Sequence, residues 1–392
     1  MVASLSLPRI LRVGGGAVSE LGDVITGLGL HRPLLVTDAV LAGTGAAERL
    51  MATLTDAALQ PCLFDGTVPD PTTDSLDAGL AVLAGLAVLR EHRADSVIGF
   101  GGGSPMDTAK ALGLLGVQGG RMRDYRAPHT NLGPALPVIA VPTTAGSGSE
   151  ATQFTIITDS ATDEKMLCPG PAFLPVAAVV DFELTLSMPA RLTADTGVDA
   201  LTHAVEAYVS RKANPFSDGL ALNAIRTIGR HLRRVYADGG DLEAREAMML
   251  AATQAGIAFS NSSVALVHGM SRPIGAHFHV AHGLSNAMLF PAVTAFSVPA
   301  AESRYADCAR ALGAAADGDS NALAADRLVE ALRALCQDLE VPTPRAHGID
   351  KDEWFRLLPL MAEQALASGS PANNPVVPTV DEIQDLYAQI YA

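Results

Sequence analysis

The chain has 392 residues, of which 48% are hydrophobic and 18% are charged, and its formal net charge is −15. This length exceeds one ordinary hydrophobic core, so two domains are expected. The excess of acidic residues argues against nucleic acid and anionic membrane surfaces as partners, because like charges repel.

The first half of the chain alternates short apolar runs with helical stretches. Residues 33–36, 96–99 and 137–141 are predicted to be buried strands, since each is a continuous apolar run bounded by Gly, Pro, Thr or Asp. Residues 74–92 and 105–115 have helical spacing. This alternation predicts an α/β domain with a doubly wound, mostly parallel sheet and helices on both faces.

The second half has a different sequence pattern, because strand-like apolar runs are absent after about residue 190. Long segments with helical periodicity take over, namely residues 193–211, 217–237, 242–260, 300–312 and 322–338. We therefore expect an α/β domain over residues 1–186 and an all-α domain over residues 187–392. A cleft between two such domains is a common place for a ligand site.

A glycine-rich turn, Gly101-Gly102-Gly103, follows the strand predicted at residues 96–99. Ser104 is placed to cap the following helix, Pro105 suits its first turn, and Asp107 completes an S-x-x-D box. Backbone amides in such a turn can bind a pyrophosphate, with help from the helix dipole. A tight turn without a ligand remains the alternative, since the spacing is not a regular G-x-G-x-x-G.

Two further polar segments follow predicted strands. Asp38 comes after the strand at residues 33–36, where a carboxylate can bind ribose hydroxyls and would repel a 2′-phosphate. Residues 143–149 (TTAGSGS) follow the strand at residues 137–141 and could line a cofactor. A helix cap at Asp38 and a simple polar turn at residues 143–149 are the alternatives.

Acidic and imidazole side chains form a possible metal site in the second half. Asp199 and His203 are four residues apart in a predicted helix, so they project from one face, and Glu206 lies on the same side. His268 and His282 lie among apolar residues, and a buried imidazole needs a hydrogen bond or a metal. A carboxylate with three imidazoles suits a divalent transition metal, whereas an ion pair and hydrogen-bonded core histidines are the alternatives.

Several motifs together resemble one enzyme family. They are residues 101–110 (GGGSPMDTAK), 142–150 (PTTAGSGSE), 197–208 (GVDALTHAVEAY), 267–270 (VHGM) and 282–287 (HGLSNA). In this order and spacing they are similar to the iron-dependent, or group III, alcohol dehydrogenases, whose fold is shared with dehydroquinate synthase. The resemblance implies an N-terminal dinucleotide-binding domain and a C-terminal helical domain that binds metal and substrate.

The resemblance also implies a chemistry and its residues. Hydride would pass between a small alcohol or hydroxy acid and NAD(H), while a metal polarises the substrate oxygen; NADP is less expected, given Asp38. The metal would be Fe²⁺, with Zn²⁺ in some relatives, held by Asp199, His203, His268 and His282. The implied cofactor-binding residues are Asp38, Asp70, Gly102, Gly103, Ser104, Thr143, Thr144, Ser147, Ser149 and Lys165.

One position departs from the family pattern. Relatives that read H-G-M-x-H have a second histidine, usually assigned to substrate contact or proton transfer, where this chain has Arg272. Arginine cannot act as a base near neutral pH, so His277, His279 or bulk water would have to relay the proton. A guanidinium there also suggests an anionic substrate, and pairing of Arg272 with a nearby carboxylate is the alternative.

Two other functions fit some of the same residues. A non-redox enzyme of the dehydroquinate synthase type is the alternative function, and a silent binding protein is a weaker one. A homodimer or larger assembly is expected from the resemblance. No apolar stretch reaches the roughly 20 residues that cross a bilayer, and no secretion signal is evident. Four separated cysteines without a CxxC pair predict free thiols in the cytoplasm.

Overall fold

The computed structural model describes residues 3–73, 94–162 and 164–392. The helix predicted at residues 74–92 lies outside the described residues. Two compact units are present, Leu5–Thr185 and Leu186–Ala392. Among the described residues, no helix combines the length and apolarity that a membrane crossing requires. All four cysteines are free thiols, as the sequence predicted.

The unit Leu5–Thr185 contains a six-stranded parallel sheet. The strands of this unit are β1 (Ile10–Val13), β2 (Pro33–Asp38), β3 (Cys62–Thr67), β4 (Ser96–Gly101), β5 (Val138–Pro142), β6 (Phe154–Asp159), β7 (Glu164–Pro169) and β8 (Ala177–Val180). The sheet order is β1-β8-β5-β4-β2-β3, and β6 and β7 form a separate antiparallel pair. The three predicted strands are confirmed as β2, β4 and β5.

Helices cover both faces of the sheet. The described α-helices of this unit are α1 (Leu21–Gly27), α2 (Ala39–Gly43), α3 (Ala46–Asp56) and α4 (Gly103–Gln118). In β2, Leu34 and Val36 join an apolar cluster with α4, whereas Leu35 joins a second cluster with α1 and α3. Because successive side chains of a strand point to opposite faces, this split confirms the predicted doubly wound arrangement.

The strand order creates a switch point in the sheet. Strand β2 is flanked by β3 on one side and β4 on the other, and the later strands β5 and β8 continue outward from β4. Ligands of doubly wound sheets bind beyond the carboxyl ends of the strands at such a point. Asp38 ends β2 and the glycine-rich turn ends β4, so the sheet brings two predicted cofactor segments to one edge.

The unit Leu186–Ala392, which is described throughout, is helical and contains no strand. Its helices are α5 (Ala190–Val209), α6 (Pro215–Ala237), α7 (Leu242–Ser260), α8 (Leu266–Phe278), α9 (His282–Ser297), α10 (Glu302–Leu312), α11 (Asn321–Asp338), α12 (Pro344–His347), α13 (Lys351–Ala367) and α14 (Val380–Ile390). The five predicted helices are confirmed, with bounds within three residues of those predicted.

Helix α5 lies at the centre of this unit. It packs against α6, α7 and α9 and is buried along most of its length. Ala194, Ala200, Ala204 and Ala207 are fully buried, and such small side chains allow neighbouring helices to approach closely. Polar residues on α5 are therefore enclosed by the surrounding helices.

Candidate active site

Three helices of the second unit bring the four predicted metal ligands together. Asp199 and His203 lie one turn apart on α5, His268 lies in the first turn of α8, and His282 is the first residue of α9. One donor atom from each residue can be chosen so that all four lie within 4.8 Å of one another. Residues that are 83 positions apart in the sequence, from 199 to 282, thus share one small volume.

The donor distances suit a divalent transition metal. Asp199 Oδ1 lies 3.5 Å from His268 Nε2, 3.7 Å from His282 Nε2 and 3.8 Å from His203 Nδ1. Metal–nitrogen bonds of about 2.1 Å in a tetrahedron imply donor separations of about 3.4 Å, so the three separations from Asp199 are close to that geometry. Three imidazoles and one carboxylate are borderline donors, which suit Fe²⁺ and Zn²⁺ better than Mg²⁺ or Ca²⁺.

The cluster is closed on one side and open on another. The side chains of Asp199, His203 and His268 are each 5% exposed, whereas that of His282 is 34% exposed. The ring of His203 is stacked between Phe259 and His268, with centroid distances of 4.3 Å and 4.4 Å. A small molecule can therefore reach the cluster on the side of His282.

Glu206 contacts the proposed ligand His268 on the ring nitrogen that faces away from the cluster. Its carboxylate accepts hydrogen bonds from the backbone N–H groups of Ala265 (2.7 Å) and Val267 (2.6 Å) at the start of α8. A third contact, of 2.7 Å, joins the carboxylate to Nδ1 of His268. With Nδ1 as the donor, Nε2 presents its lone pair to the cluster, which is the tautomer that binds a metal. The sequence placed Glu206 on the correct face but gave no role for it.

The charges of the cluster favour a cation. Burial alone would raise the pKa of Asp199, but His203, His282 and His268 outweigh it and hold that pKa below its ordinary value. Burial would lower the pKa of His268, but Asp199 and Glu206 raise it to about 9. A proton therefore competes with a metal ion for His268, and metal binding should release it.

Asn286 occupies the space between the donors and was missed by the sequence analysis. It follows His282 by one turn of α9 and is fully buried. Its Nδ2 atom donates to Asp199 Oδ1 at 2.7 Å and lies 3.2 Å from Nε2 of both His268 and His282. A hydrogen-bearing nitrogen surrounded by these atoms marks a position that suits a cation. The four-residue spacing from His282 was the available signal.

Gly283 allows α9 to approach α5 and is a useful test of the cluster. A Cβ atom at this position would lie 2.4 Å from the backbone oxygen of Asp195, closer than atoms tolerate. Gly283→Ala should displace the start of α9, and with it His282, so metal affinity should fall at least tenfold in chelator competition. Gly219→Ala in α6 is the control, because a Cβ there meets nothing within 4 Å. Equal affinity of both variants would contradict the close approach.

The three residues predicted to be catalytic lie on or just beyond α8. Arg272 follows His268 by one turn and is 8% exposed, and its Nη1 donates to the Ser368 backbone oxygen at 3.4 Å. The ring of half-buried His277 contacts Gln364 Oε1 through Nε2 at 2.7 Å. His279 is exposed and has a left-handed backbone, with φ of 54°. Neither His277 nor His279 belongs to the metal cluster, and all three roles stay predictions.

The glycine-rich turn in the first unit starts α4 without a side-chain cap. Gly102 is the N-cap residue and the helix begins at Gly103. The predicted cap by Ser104 is wrong, because Ser104 Oγ accepts a hydrogen bond from the backbone N–H of Asp70 at 3.2 Å instead. Among the described residues no side chain caps this helix, so backbone N–H groups of its first turn are available to an anion.

Asp107 also departs from the predicted S-x-x-D box. Its carboxylate accepts hydrogen bonds from Ser149 Oγ at 2.8 Å and from the backbone N–H of Ile156 at 2.9 Å. The predicted box is therefore wrong, because partners distant in the sequence take the carboxylate. The result is a link between α4 and the segment that contains residues 143–149.

The predicted cofactor residues gather around the turn. A Cβ atom on Gly102 would lie 3.5 Å from Thr144, and one on Gly103 would lie 3.5 Å from Ser147. Asp70 Oδ1 pairs with Lys165 Nζ at 2.8 Å. Asp38 Oδ1 accepts a hydrogen bond from the Leu41 backbone N–H at 2.9 Å and so caps α2. The structure brings Thr144, Ser147 and, through Ser104, Asp70 to this turn, while the cofactor contacts of all these residues stay predictions.

Lys110 joins α4 to residues 149–154 in the protein interior, a region called the Lys110 corner below. Its ammonium group is fully buried and donates to Ser149 Oγ (2.8 Å), Thr152 Oγ1 (3.1 Å) and the Phe154 backbone oxygen (2.8 Å). The Asp107 carboxylate lies 3.8 Å away. Burial lowers the pKa of Lys110 to about 8, although Asp107 and Glu150 oppose the shift.

Removal of the Lys110 ammonium group should destabilise the Lys110 corner and so lower the free energy of unfolding. Lys110→Met leaves the carboxylate of Asp107 and the hydroxyl of Ser149 with fewer partners, so we expect a loss of about 3 kcal/mol of unfolding free energy. Denaturant unfolding measures the loss, and exposed Lys351→Met is the control, with an expected change under about 0.5 kcal/mol. A loss no larger than the control's would show that the buried ammonium is not needed.

Comparison with known proteins agrees with this geometry. The family model described as "Iron-containing alcohol dehydrogenase" matches residues 8–182, and the model "Fe-containing alcohol dehydrogenase family, C-terminal" matches residues 193–391. The chain belongs to the iron-containing alcohol dehydrogenases. It is therefore an oxidoreductase of the alcohol dehydrogenase type, which confirms the resemblance seen in its motifs.

Individual members of the family resemble this iron-containing alcohol dehydrogenase over its whole length. It is 38% identical to the NAD-dependent methanol dehydrogenase of Bacillus methanolicus, with 97% of each chain covered. It is 36% identical to the 1,3-propanediol dehydrogenase of Klebsiella pneumoniae, with 98% of each chain covered. A crystal structure of a 1,3-propanediol oxidoreductase superposes with a TM-score of 0.94 at 35% identity, covering 100% of both chains.

Proposed function

We propose that this protein transfers hydride between NAD and a small alcohol, or the corresponding aldehyde or ketone, with one divalent metal ion bound by Asp199, His203, His268 and His282. The observation that carries this proposal is the convergence of a carboxylate and three imidazoles within 4.8 Å. The family, the NAD named in the methanol dehydrogenase relative and the open side of the cluster at His282 support it.

The metal would be Fe²⁺, as the family description indicates, with Zn²⁺ as the alternative. When bound, it supplies Lewis acidity that favours loss of the alcohol proton and polarises a carbonyl group. Asp199 contributes negative charge, Glu206 fixes the tautomer of His268, and Asn286 holds the Asp199 carboxylate in place. The Glu206 contact preorganises His268, whereas the Asn286 amide nitrogen, which lies between the donors, would have to move aside when the metal binds.

The dinucleotide would bind in the first unit, at the carboxyl edge of the sheet. Backbone N–H groups of Gly102 and Gly103 would contact the pyrophosphate, and the Asp38 carboxylate would contact the ribose and disfavour NADP. Ser149 would act by position, since its hydroxyl already contacts Lys110 and Asp107. The remaining proposed contacts are Asp70, Ser104, Thr143, Thr144, Ser147 and Lys165.

The substrate proton needs an acceptor other than Arg272. Burial lowers the pKa of Arg272 to about 10, while Glu206 opposes the shift, so the guanidinium stays charged near neutral pH. His277, at the end of α8, and exposed His279 are the proposed relays, with bulk water as the alternative. An imidazole in contact with solvent can pass the proton outward.

Cellular setting and assembly complete the proposal. We propose a cytoplasmic enzyme, since all four cysteines are free thiols. We propose a homodimer or larger assembly, because β1 is an edge strand of the sheet and exposes Leu11 and Val13. Light scattering would measure the assembly.

The decisive experiment is a steady-state assay of anaerobically purified, iron-loaded protein with NAD or NADP and a panel of small alcohols. NADH formation that disappears on metal removal and returns on reloading is the expected result. A preference for NAD over NADP would agree with Asp38. Metal-dependent conversion of a substrate without net NADH formation would instead favour a non-redox enzyme of the dehydroquinate synthase type.

A further inference from the structure

Two arginines are buried in the helical unit, and they differ in their partners. Arg245 is 3% exposed, and its guanidinium donates to Gly239 O (2.9 Å), Thr193 Oγ1 (3.0 Å) and Met188 O (3.3 Å). These three bonds satisfy each nitrogen of the group, as expected of a structural arginine. Arg245 is therefore the reference for a buried guanidinium whose hydrogen bonds are all made within the protein.

Arg272 lacks such partners. It is 8% exposed, and its single hydrogen bond joins Nη1 to the Ser368 backbone oxygen at 3.4 Å. Within the part of the chain that the structure describes, Nε and Nη2 have no hydrogen-bond partner, and neither is a fully enclosed atom. No carboxylate of the described residues lies within 4.0 Å of the group, so the alternative that Arg272 pairs with a nearby carboxylate is wrong.

The position of Arg272 relates this unsatisfied charge to the metal cluster. It follows His268 by four residues on α8, so both side chains lie on one face of the helix. Side chains of a helix lean toward its N-terminus, which directs Arg272 back toward the turn that carries His268. Glu206, which contacts His268, is the charged group that acts on Arg272.

The charges of the site leave room for an anion. With the proposed divalent cation bound, Asp199 and Glu206 would offset its two charges, and the guanidinium of Arg272 has no carboxylate within 4.0 Å among the described residues. A buried charge without a partner is costly, and a fold retains one where a ligand supplies the partner. A guanidinium offers parallel N–H groups that match a carboxylate, sulfonate or phosphonate.

We propose that Arg272 forms an oxyanion subsite beside the metal cluster, and that the substrate is an alcohol or aldehyde carrying a carboxylate, sulfonate or phosphonate group. This inference rests on the proposed function and names its substrate class. Arg272 would bind the oxyanion through the N–H groups of Nε and Nη2, and so orient the hydroxyl-bearing carbon toward the metal cluster.

The test compares matched acidic and neutral substrates with the metal-loaded enzyme. The pairs are glycolate with ethylene glycol and 3-hydroxypropanoate with propane-1,3-diol. The unmodified enzyme should have the higher kcat/KM for the acid of at least one pair. Arg272→Met should lower the ratio of acid to diol kcat/KM by about 10- to 100-fold, the range of a charged hydrogen bond. Arg272→Lys should recover part of the loss on the acid.

Stability separates a binding role from a structural one. Because Arg272 has one long hydrogen bond, Arg272→Met should leave the thermal midpoint unchanged or raise it in the absence of substrate. The control Arg245→Met removes three hydrogen bonds and should lower the midpoint, while the ratio of acid to diol kcat/KM stays unchanged. A fall of the midpoint in Arg272→Met comparable to that of the control would overturn the inference.

A binding measurement separates failure of the inference from failure of the proposed function. Calorimetric titration of the metal-loaded enzyme with 3-hydroxypropanoate or glycolate should show binding that Arg272→Met abolishes. If such binding occurs while no alcohol of the panel gives metal-dependent NADH formation, the subsite stands and the proposed function fails. If the enzyme oxidises diols but Arg272→Met loses equally on acid and diol, the proposed function stands and the subsite is refuted. Activation of diol oxidation by inorganic phosphate or sulfate, with no preference for the acid of either pair, would assign Arg272 to a free anion and refute the substrate class.

Discussion

Replacing His268 with alanine should abolish metal binding and turnover together. His268 supplies the Nε2 atom 3.5 Å from Asp199 Oδ1, and its removal leaves two imidazoles and one carboxylate. Loss of a ligand should exceed the 10- to 100-fold loss of affinity that follows removal of an outer partner, so we expect more than about 100-fold. Metal content after gel filtration and chelator competition measure the effect directly, independent of activity.

The control for this variant is His129→Ala, which removes an exposed imidazole from the other unit. It should keep full metal content and activity. The start of α8 should survive in His268→Ala, because Glu206 still accepts the two backbone N–H groups of Ala265 and Val267. Full turnover by a demonstrably metal-free His268→Ala protein would remove the metal from the reaction.

Replacing Glu206 with glutamine should weaken both the metal site and the fold. The carboxylate receives three donors, whereas an amide must turn its own N–H₂ group toward at least one of them. Metal affinity should fall about 10- to 100-fold, because His268 is no longer held in the binding tautomer. Unfolding free energy should fall by about 2 kcal/mol, as expected for loss of hydrogen bonds to a buried charged group.

Glu382→Gln provides a matched control for this second variant. Glu382 also accepts a hydrogen bond at a helix start, from the backbone N–H of Thr379 at 2.7 Å, but it is exposed and remote from any ligand in the sequence. Its replacement should cost about 1 kcal/mol or less and leave metal affinity unchanged. If Glu206→Gln and the control bind metal equally well, Glu206 serves only the helix start.

Residue spacing and local runs of apolar residues were enough to predict the helix face that carries two ligands and the central strands of the sheet. The four-residue spacing of Asp199 and His203 placed both on one face of α5, and continuous apolar runs identified β2, β4 and β5, which are buried on both faces. The antiparallel pair β6 and β7 was missed because burial along β6 alternates residue by residue, so the segment forms no continuous apolar run and its pairing depends on a partner strand.

Contacts between distant residues explain the errors and omissions. Ser104 was expected to cap its own helix, but Asp70, 34 positions earlier, donates to its hydroxyl. Glu206 lies 59 to 62 positions from the groups that it binds, so its role required the packing of α5 against the start of α8 to be known. Asn286 is a neutral residue inside a ligand cluster, and composition rules do not single out such an amide.

All four proposed ligands, together with Glu206 and Asn286, belong to the unit Leu186–Ala392. The glycine turn, Asp38 and the Lys110 contacts belong to the other unit. The hydrogen bonds described above for each group of residues are all made within its own unit. On the proposed assignment, metal and dinucleotide would be taken up independently, and protein made without iron would still bind dinucleotide and could be completed by the metal alone.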